Sequence, residues 1–147
     1  MSSIYKLFSG IIPLILLVAC ATTYEVHEGS MSIQRGSNSP LPELSSEQGR
    51  IWFYRNAPRT TPGYWREILL NKKIVAEANP DRVYFVDVQP GTYEVAIDDN
   101  EVTITVEKQQ HVFIKTEVAI GTWSNQFYPT LVDPDTGKND LGMLPGI

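Results

Sequence analysis

Cysteine is nearly absent from this sequence: Cys20 is the single cysteine in 147 residues, and it lies close to the N-terminus. The chain after Cys20 therefore has no thiol for an internal disulfide, a thiolate nucleophile or a cysteine-based metal site. A domain in that part of the chain must be stabilised by its hydrophobic core, without covalent cross-links.

Clusters of basic residues are also absent. The 12 lysines and arginines are scattered singly, apart from Lys72-Lys73, whereas acidic residues number 17 and the net charge is −5. The only basic residue before Cys20 is Lys6, so the chain after Cys20 is more acidic still. This composition argues against a nucleic-acid partner, because no group of cations is available to neutralise phosphates.

Short catalytic motifs are missing as well. The sequence contains no Gly-x-Ser-x-Gly elbow, no His-Glu-x-x-His helix, no phosphate-binding Walker loop and no dinucleotide fingerprint. Histidine is limited to His27 and His111. The sequence therefore indicates no common class of hydrolase or nucleotide-binding enzyme.

The long apolar run of the chain lies at its start. It extends from Leu7 to Ala19, contains Ser9 and Pro13, and follows a short segment that carries Lys6. This order predicts a secretory signal peptide over residues 1–19. A transmembrane helix is the alternative, but spanning the hydrocarbon takes about 20 apolar residues, and this run is shorter and holds a proline.

The apolar run ends in Leu17-Val18-Ala19-Cys20, which resembles the lipobox of bacterial lipoprotein precursors at all four positions. The resemblance implies cleavage before Cys20, a thioether-linked diacylglycerol on its sulfur and usually a further acyl chain, such as palmitate, on its new amino group. Two or more acyl chains give stable anchoring. Ala21, in place of Asp, implies the outer membrane of a Gram-negative host. We therefore expect a lipid-anchored envelope protein that faces the periplasm.

Composition divides the remaining chain in two. Residues 20–47 are rich in Ser, Thr, Gly, Pro and Glu, with a cluster of structure-breaking residues at Ser37–Pro42. They predict a lipidated N-terminus and a flexible tether, in which His27 is solvated. The pattern changes at Gly49, and residues 48–147 predict one β-domain with a C-terminal tail.

Alternation of apolar and polar residues with a period of two predicts most of this domain to be strands. The alternating segments are 84–88, 93–97, 102–106 and 112–120; a continuous apolar run spans 51–54, a hairpin is predicted at 65–76 around Asn71-Lys72, and one more strand at 127–132. Residues 133–137 predict a turn, and residues 140–144 a further helical turn. About seven strands and no convincing amphipathic helix predict an all-β, antiparallel β-sandwich that is immunoglobulin-like or prealbumin-like.

Three segments of this domain resemble one protein family. They are Gly49–Arg55, Leu70–Val75 and Tyr84–Tyr93, the last containing Val-Gln-Pro-Gly-Thr-Tyr. They are similar to the bacterial lipoprotein family catalogued as domain of unknown function 2846, over roughly Gly49 to Ile120. The family's hairpin commonly has Asn-Gly where this chain has Asn71-Lys72. The resemblance implies a sandwich fold and brings no established activity or catalytic residues.

Two titratable residues of the domain are candidate functional groups. His111 begins a predicted strand, and the sequence marks neither a serine nor a carboxylate to act with it, which favours a strand-end histidine over a catalytic base. Asp87 lies in a strongly apolar strand, where an outward position near the strand end is favoured. Arg55 and Arg66 are alternative ion-pair partners for Asp87.

Two further patterns carry weaker signals. Asp133-x-Asp135-x-Gly137-x-Asn139 is partly similar to a calcium loop, but Gly137 stands where a third oxygen ligand is needed and no bidentate Glu follows. A turn is favoured there. The aromatic residues are expected to pack in the core or on a sheet face, with an exposed binding patch as the alternative; they are Trp52, Tyr54, Trp65, Trp123, Phe127 and Tyr128.

The sequence therefore predicts a lipid-anchored, non-enzymatic binding or accessory module of the cell envelope, without a cofactor or metal. Cys20 is its one assigned functional residue, and the membrane is its expected partner, together with an envelope protein or glycan. The alternatives are a hydrolase that acts on cell-wall material through His111 or Asp87, and a purely structural envelope protein.

Overall fold

The computed structural model describes residues 31–34, 41–56, 65–80 and 82–142; the predicted signal peptide and Cys20 lie outside these ranges. In the described residues the chain forms nine strands and one short helix. They are β1 (Met31–Gln34), β2 (Gly49–Tyr54), β3 (Glu67–Leu70), β4 (Lys73–Glu77), β5 (Arg82–Val88), β6 (Gly91–Ile97), β7 (Asn100–Val106), β8 (His111–Ala119), β9 (Gln126–Val132) and α1 (Pro134–Leu141).

The strands form two sheets that pack face to face. The larger sheet has five strands in the order β1-β5-β2-β8-β9, and the smaller has four in the order β4-β3-β6-β7. This arrangement confirms the predicted all-β sandwich. Two details differ from the prediction: the described residues contain nine strands instead of about seven, and β2 pairs with β8 in parallel.

The main core lies between the two sheets, where the alternating segments place their apolar side chains. Val86 and Val88 of β5 face inward, whereas Phe85 belongs to a second cluster on the opposite face. The predicted alternation is thus confirmed for β5 to β7 and for most of β8. It is wrong at Ile120, which follows the last residue of β8 and is 86% exposed.

A second hydrophobic cluster covers the outer face of the larger sheet, and it explains the continuous apolar run of β2. Ile51 and Phe53 enter the main core, while Trp52 and Tyr54 enter the outer cluster. Because both faces of this strand are buried, apolar residues occupy every position from 51 to 54. The rest of the outer cluster comes from β1, β5, β8 and α1: Ile33, Val83, Phe85, Phe113 and Leu141.

Helix α1 replaces the turn predicted at 133–137. Asp133 caps it, since the carboxylate accepts a hydrogen bond from the Thr136 amide at 3.0 Å, and Pro134 occupies the first turn. Gly137, a poor helix former that disguised the pattern, is buried against Phe113. A Cβ atom at position 137 would lie 2.2 Å from Cγ of Phe113, so only glycine allows this close approach.

Part of the predicted tether is also ordered structure. Strand β1, within the range 20–47, pairs with β5, and Ile33 is buried in the outer cluster. Leu41 packs against the same cluster, and the Pro42 carbonyl accepts a hydrogen bond from Arg50 at 3.0 Å. A four-residue strand is too short to give a clear period-two pattern, which is why the prediction of a continuous flexible tether is wrong at these residues.

The predicted hairpin at Asn71-Lys72 is confirmed, and it connects β3 to β4. Both turn residues have positive φ, 47° for Asn71 and 67° for Lys72, as a two-residue type I′ turn requires. Asn71 compensates for the absence of glycine by binding strand β6. The backbone N–H of Asn71 donates to the Glu94 carbonyl, and its side-chain Oδ1 accepts from the backbone N–H of Glu94, each at 2.9 Å.

Candidate functional site

Asp87, a candidate from the sequence, lies in an ion pair on the outer face of the larger sheet. The cross-strand register places it opposite Arg50. The two side chains form a bidentate pair, Nε to Oδ1 at 2.6 Å and Nη2 to Oδ2 at 2.8 Å. The alternative partners Arg55 and Arg66 are wrong. The Arg50 guanidinium also lies 4.3 Å from the ring centre of Phe85, a cation–π contact.

His111 stands at the start of β8, opposite Arg50 in the parallel register. Its Nδ1 accepts a hydrogen bond from Nε1 of Trp52 at 3.0 Å, so the neutral ring carries its proton on Nε2. Burial lowers the pKa of His111 below its ordinary value, and the positive charges of Arg50 and Lys138 lower it further, against a smaller opposing effect of Asp87. The neutral histidine is therefore favoured.

Asp87 and His111, the two residues of the enzymatic alternative, both lie opposite Arg50 in the sheet. Each of them, however, has its own structural partner. Both carboxylate oxygens of Asp87 bind Arg50, and Nδ1 of His111 binds Trp52. The arrangement links β2 to its two neighbouring strands at the end of the outer cluster. It is suited to holding these strands in register rather than to transferring a proton to a ligand.

The segment that is partly similar to a calcium loop uses its first carboxylate within the chain. Oδ1 of Asp133 accepts from the Thr136 amide and Oδ2 from the Thr136 hydroxyl, at 3.0 and 2.6 Å. These hydrogen bonds lower the pKa of Asp133. Within the described ranges no group of three or more His, Cys, Asp or Glu side chains is placed to hold a metal ion.

A third polar group attaches α1 to the larger sheet. Asp140 accepts a hydrogen bond from the Tyr54 hydroxyl at 2.9 Å, and the Lys115 ammonium lies 3.5 Å from the same carboxylate oxygen. The aspartate thus binds one residue of β2 and one of β8. Its role is to dock the helix over the outer cluster.

The candidate aromatic residues do not share one surface. Trp52, Tyr54 and Phe127 are buried, whereas Trp65 is 57% exposed and Trp123 is 97% exposed. Trp123 lies in the connection between β8 and β9, and Trp65 precedes β3. Of these residues, Trp65 lines a concave surface.

This surface is a groove of about 410 Å³ on one side of the sandwich, where edge strand β4 passes β5. The side chains that define its character are Trp65, Ile74, Glu77, Asn79, Arg82 and Tyr84. The Tyr84 hydroxyl donates to Glu77 at 3.4 Å, and Arg82 donates to the Ser32 hydroxyl of β1 at 2.9 Å. Burial and the negative charge of Glu77 raise the pKa of Tyr84, so the phenol stays protonated.

The opposite side of the sandwich has a different character. There β7 and β9 contact each other, and Asn100 donates a hydrogen bond to the Phe127 carbonyl at 2.9 Å. The outer face of the larger sheet is covered in part by α1 and Leu41.

Sequence reasoning singled out Trp65 but missed Glu77, Asn79 and Arg82, which lie around the connection from β4 to β5. They are ordinary polar residues in the sequence, and only the tertiary fold places Trp65 beside them.

The described residues therefore define a β-sandwich protein with a helix-covered outer face and an open lateral groove. Comparisons with protein-family models, with curated proteins and with solved structures gave no match. The resemblance to domain of unknown function 2846 accordingly stays a prediction. In the part of the chain that the structure describes, no helix combines the length and the hydropathy that a membrane-spanning helix needs.

Proposed function

We propose that this protein is a lipid-anchored, non-enzymatic binding or accessory module of the bacterial cell envelope, attached through Cys20 to the outer membrane and facing the periplasm. The lateral groove is the observation that carries this proposal. It combines an exposed indole, Trp65, with polar side chains in a concavity of about 410 Å³. That size lies within the range of ligand sites, about 300–1,000 Å³.

The position of the groove agrees with membrane attachment. Strand β1 begins at Met31, 11 positions after Cys20. A fully extended chain spans at most about 3.3–3.6 Å per residue, so β1 lies within roughly 40 Å of the anchored residue. Because β1 pairs with β5, and Arg82 of the groove binds Ser32 of β1, the groove lies beside the first described strand that follows Cys20 in the sequence.

The anchor is tested by metabolic labelling with a palmitate analogue. The wild-type protein is expected to incorporate the label and to fractionate with the outer membrane, whereas Cys20→Ser is expected to do neither. Ser9→Ala is a matched control, because it changes the leader without removing the acceptor thiol or the positive charge of Lys6. Equal labelling of the wild type and Cys20→Ser would contradict the anchor.

The binding role is tested by complementation of a deletion strain, with sensitivity to detergent as the phenotype. Trp65→Ala is expected to fail, whereas Trp123→Ala, which removes an indole outside the groove, and His111→Gln are expected to restore growth. Failure of a folded, correctly localised His111→Gln would favour the hydrolase alternative. Full complementation by all three variants would favour a purely structural protein.

A further inference from the structure

We infer that the groove between β4 and β5 binds an electrically neutral glycan, with Trp65 as the surface on which a sugar ring stacks. This inference rests on the proposed binding function and specifies its ligand class. Four features of the groove support it: its shape, its aromatic residues, its polar residues and the character of the adjacent strand edge.

The groove is open to solvent along the side of the sandwich and is not an enclosed cavity. An open groove accommodates a section of a chain that continues beyond it at both ends. A glycan strand has this form, whereas small-molecule pockets usually bury most of the ligand surface.

The aromatic residues supply the apolar part of the recognition. Trp65 is 57% exposed, and Tyr84 is half-buried in the same groove. A pyranose ring presents a face of C–H groups, which loses contact with water when it packs on an aromatic ring. Ile74, 60% exposed beside them, extends this surface.

The polar residues supply the hydrogen-bonding part. Glu77, Asn79 and Arg82 have planar end groups with paired acceptors or donors, which match the spacing of neighbouring sugar hydroxyls. Among the lining residues that the structure describes, Glu77 is the acid and Arg82 the base, so their formal charges cancel. A groove with this balance favours a neutral ligand over a strongly charged one.

The edge of β4 is poorly suited to the other extended ligand, a peptide added as a further strand. Lys73 and Glu77 place charges at the two ends of this five-residue strand. The register between β3 and β4 also shifts between Ile68 and Leu69, as at a β-bulge. Charged residues, short length and bulges are features that discourage pairing at sheet edges, so a glycan fits the groove better than a peptide strand.

The experiment uses the full acylated protein extracted from its membranes in a zwitterionic detergent, because a glycoside detergent would itself present sugar. Chito-oligosaccharides and malto-oligosaccharides are the probes, and binding is measured by calorimetric titration. Wild type is expected to bind at least one of these neutral series. Trp65→Ala is expected to bind about tenfold more weakly, and Trp123→Ala to bind as the wild type does.

The ionic strength provides a second readout. Binding of a neutral glycan is expected to change little between low and high salt, because no ion pair with the ligand is screened. Far-ultraviolet circular dichroism, followed through urea denaturation, verifies that each variant is folded. Binding that is equal in Trp65→Ala and wild type, or that Trp123→Ala weakens to the same extent, would overturn the assignment.

Failure of the ligand class is distinguishable from failure of the binding function. If no oligosaccharide binds while Trp65→Ala still fails to complement the deletion, the glycan assignment is wrong and the binding role stands. If an extended peptide binds and protects the β4 amides from hydrogen exchange, the groove is a strand-addition site instead. If no probe binds and Trp65→Ala complements fully, both proposals are wrong.

Discussion

At the scale of single residues, two arginine–aspartate pairs differ in their contact with solvent. The Arg50–Asp87 side chains are 2% and 23% exposed, whereas those of Arg66 and Asp98 are 37% and 43% exposed. Asp87→Asn leaves a buried guanidinium without its counter-charge and is expected to lower the free energy of unfolding by about 3 kcal/mol. Asp98→Asn, the matched control, is expected to cost less than about 1 kcal/mol.

Urea denaturation of the two variants measures this difference. The pair also tests whether Arg50 and Asp87 are primarily structural, because loss of their ion pair is expected to shift stability and not ligand binding. Similar effects of the two substitutions would mean that burial does not determine the strength of these ion pairs in this fold.

The stability of the protein is expected to depend on pH through the protonation of His111. Its pKa is lowered from 6.5 in the folded protein by burial and by Arg50, so the unfolded chain binds a proton at a higher pH than the folded one. Stability is therefore expected to be complete above about pH 6.5 and to decrease as the pH falls towards the folded pKa. The largest slope for one proton is about 1.4 kcal/mol per pH unit.

Denaturation curves across this range compare wild type with His111→Gln, which keeps an acceptor for Trp52 but does not titrate. The difference between the two curves isolates the histidine from the carboxylates that titrate at lower pH. His27→Gln, at the other histidine of the chain, is the control and is expected to follow the wild type. A proton titration of His111 by NMR that gave an ordinary or raised pKa would contradict the prediction.

At the scale of secondary-structure elements, the contact of α1 with β8 depends on the absence of a side chain. Replacing glycine by alanine inside a helix normally stabilises it by about 0.5–1 kcal/mol. In Gly137→Ala the new Cβ would lie 2.2 Å from Cγ of Phe113. The helix must then move away, and the free energy of unfolding is expected to fall by about 1–3 kcal/mol.

Thermal unfolding measures this reversal of sign. Asn139→Ala, at an exposed position of the same helix, is the control and is expected to be neutral or slightly stabilising. If Gly137→Ala raised the melting temperature as Asn139→Ala does, α1 would not be packed on Phe113.

The elements also differ in how far the sequence predicts them. Strands β6 and β7 are predictable because one of their faces meets the main core and the other is less buried, which produces a period of two. Strands β5 and β8 keep much of this period, although Phe85 and Phe113 are buried on their other face. Strand β1 is too short to show a period. Helix α1 is hidden in the sequence because it contains Gly137, a residue disfavoured in helices, at the position where the helix packs closely on Phe113. The parallel pairing of β2 with β8 is a property of topology, which local patterns do not encode.

The candidate site residues also divide into those that local sequence predicts and those that depend on the tertiary fold. His111 is at the strand start that the sequence predicts, because that position depends on local order. The partner of Asp87 depends on the register between β2 and β5, and only the fold selects Arg50 from the available arginines. The groove is a similar case: only the fold places Trp65, which precedes β3, beside Glu77 at the end of β4 and Arg82 at the start of β5. Each of the three is an ordinary surface residue in the sequence.

At the scale of the whole molecule, the two hydrophobic clusters share the larger sheet. Neighbouring residues of β8 belong to different clusters: Phe113 to the outer cluster and Ile114 to the main core. Trp52 and Phe53 divide in the same way on β2. Because each of these strands is part of both clusters, neither cluster can lose its packing without displacing strands that the other requires.

We therefore expect one cooperative unfolding transition. In a Trp65→Phe, Trp123→Phe background, the remaining indole is Trp52 of the outer cluster, so its fluorescence reports that cluster, whereas circular dichroism reports both sheets. The two signals are expected to change at the same urea concentration. Phe113→Leu and Ile114→Val are each expected to lower the free energy of unfolding by about 1 kcal/mol and to shift both signals together. A fluorescence transition that Phe113→Leu shifts while the dichroism transition stays in place would show that the outer cluster unfolds separately.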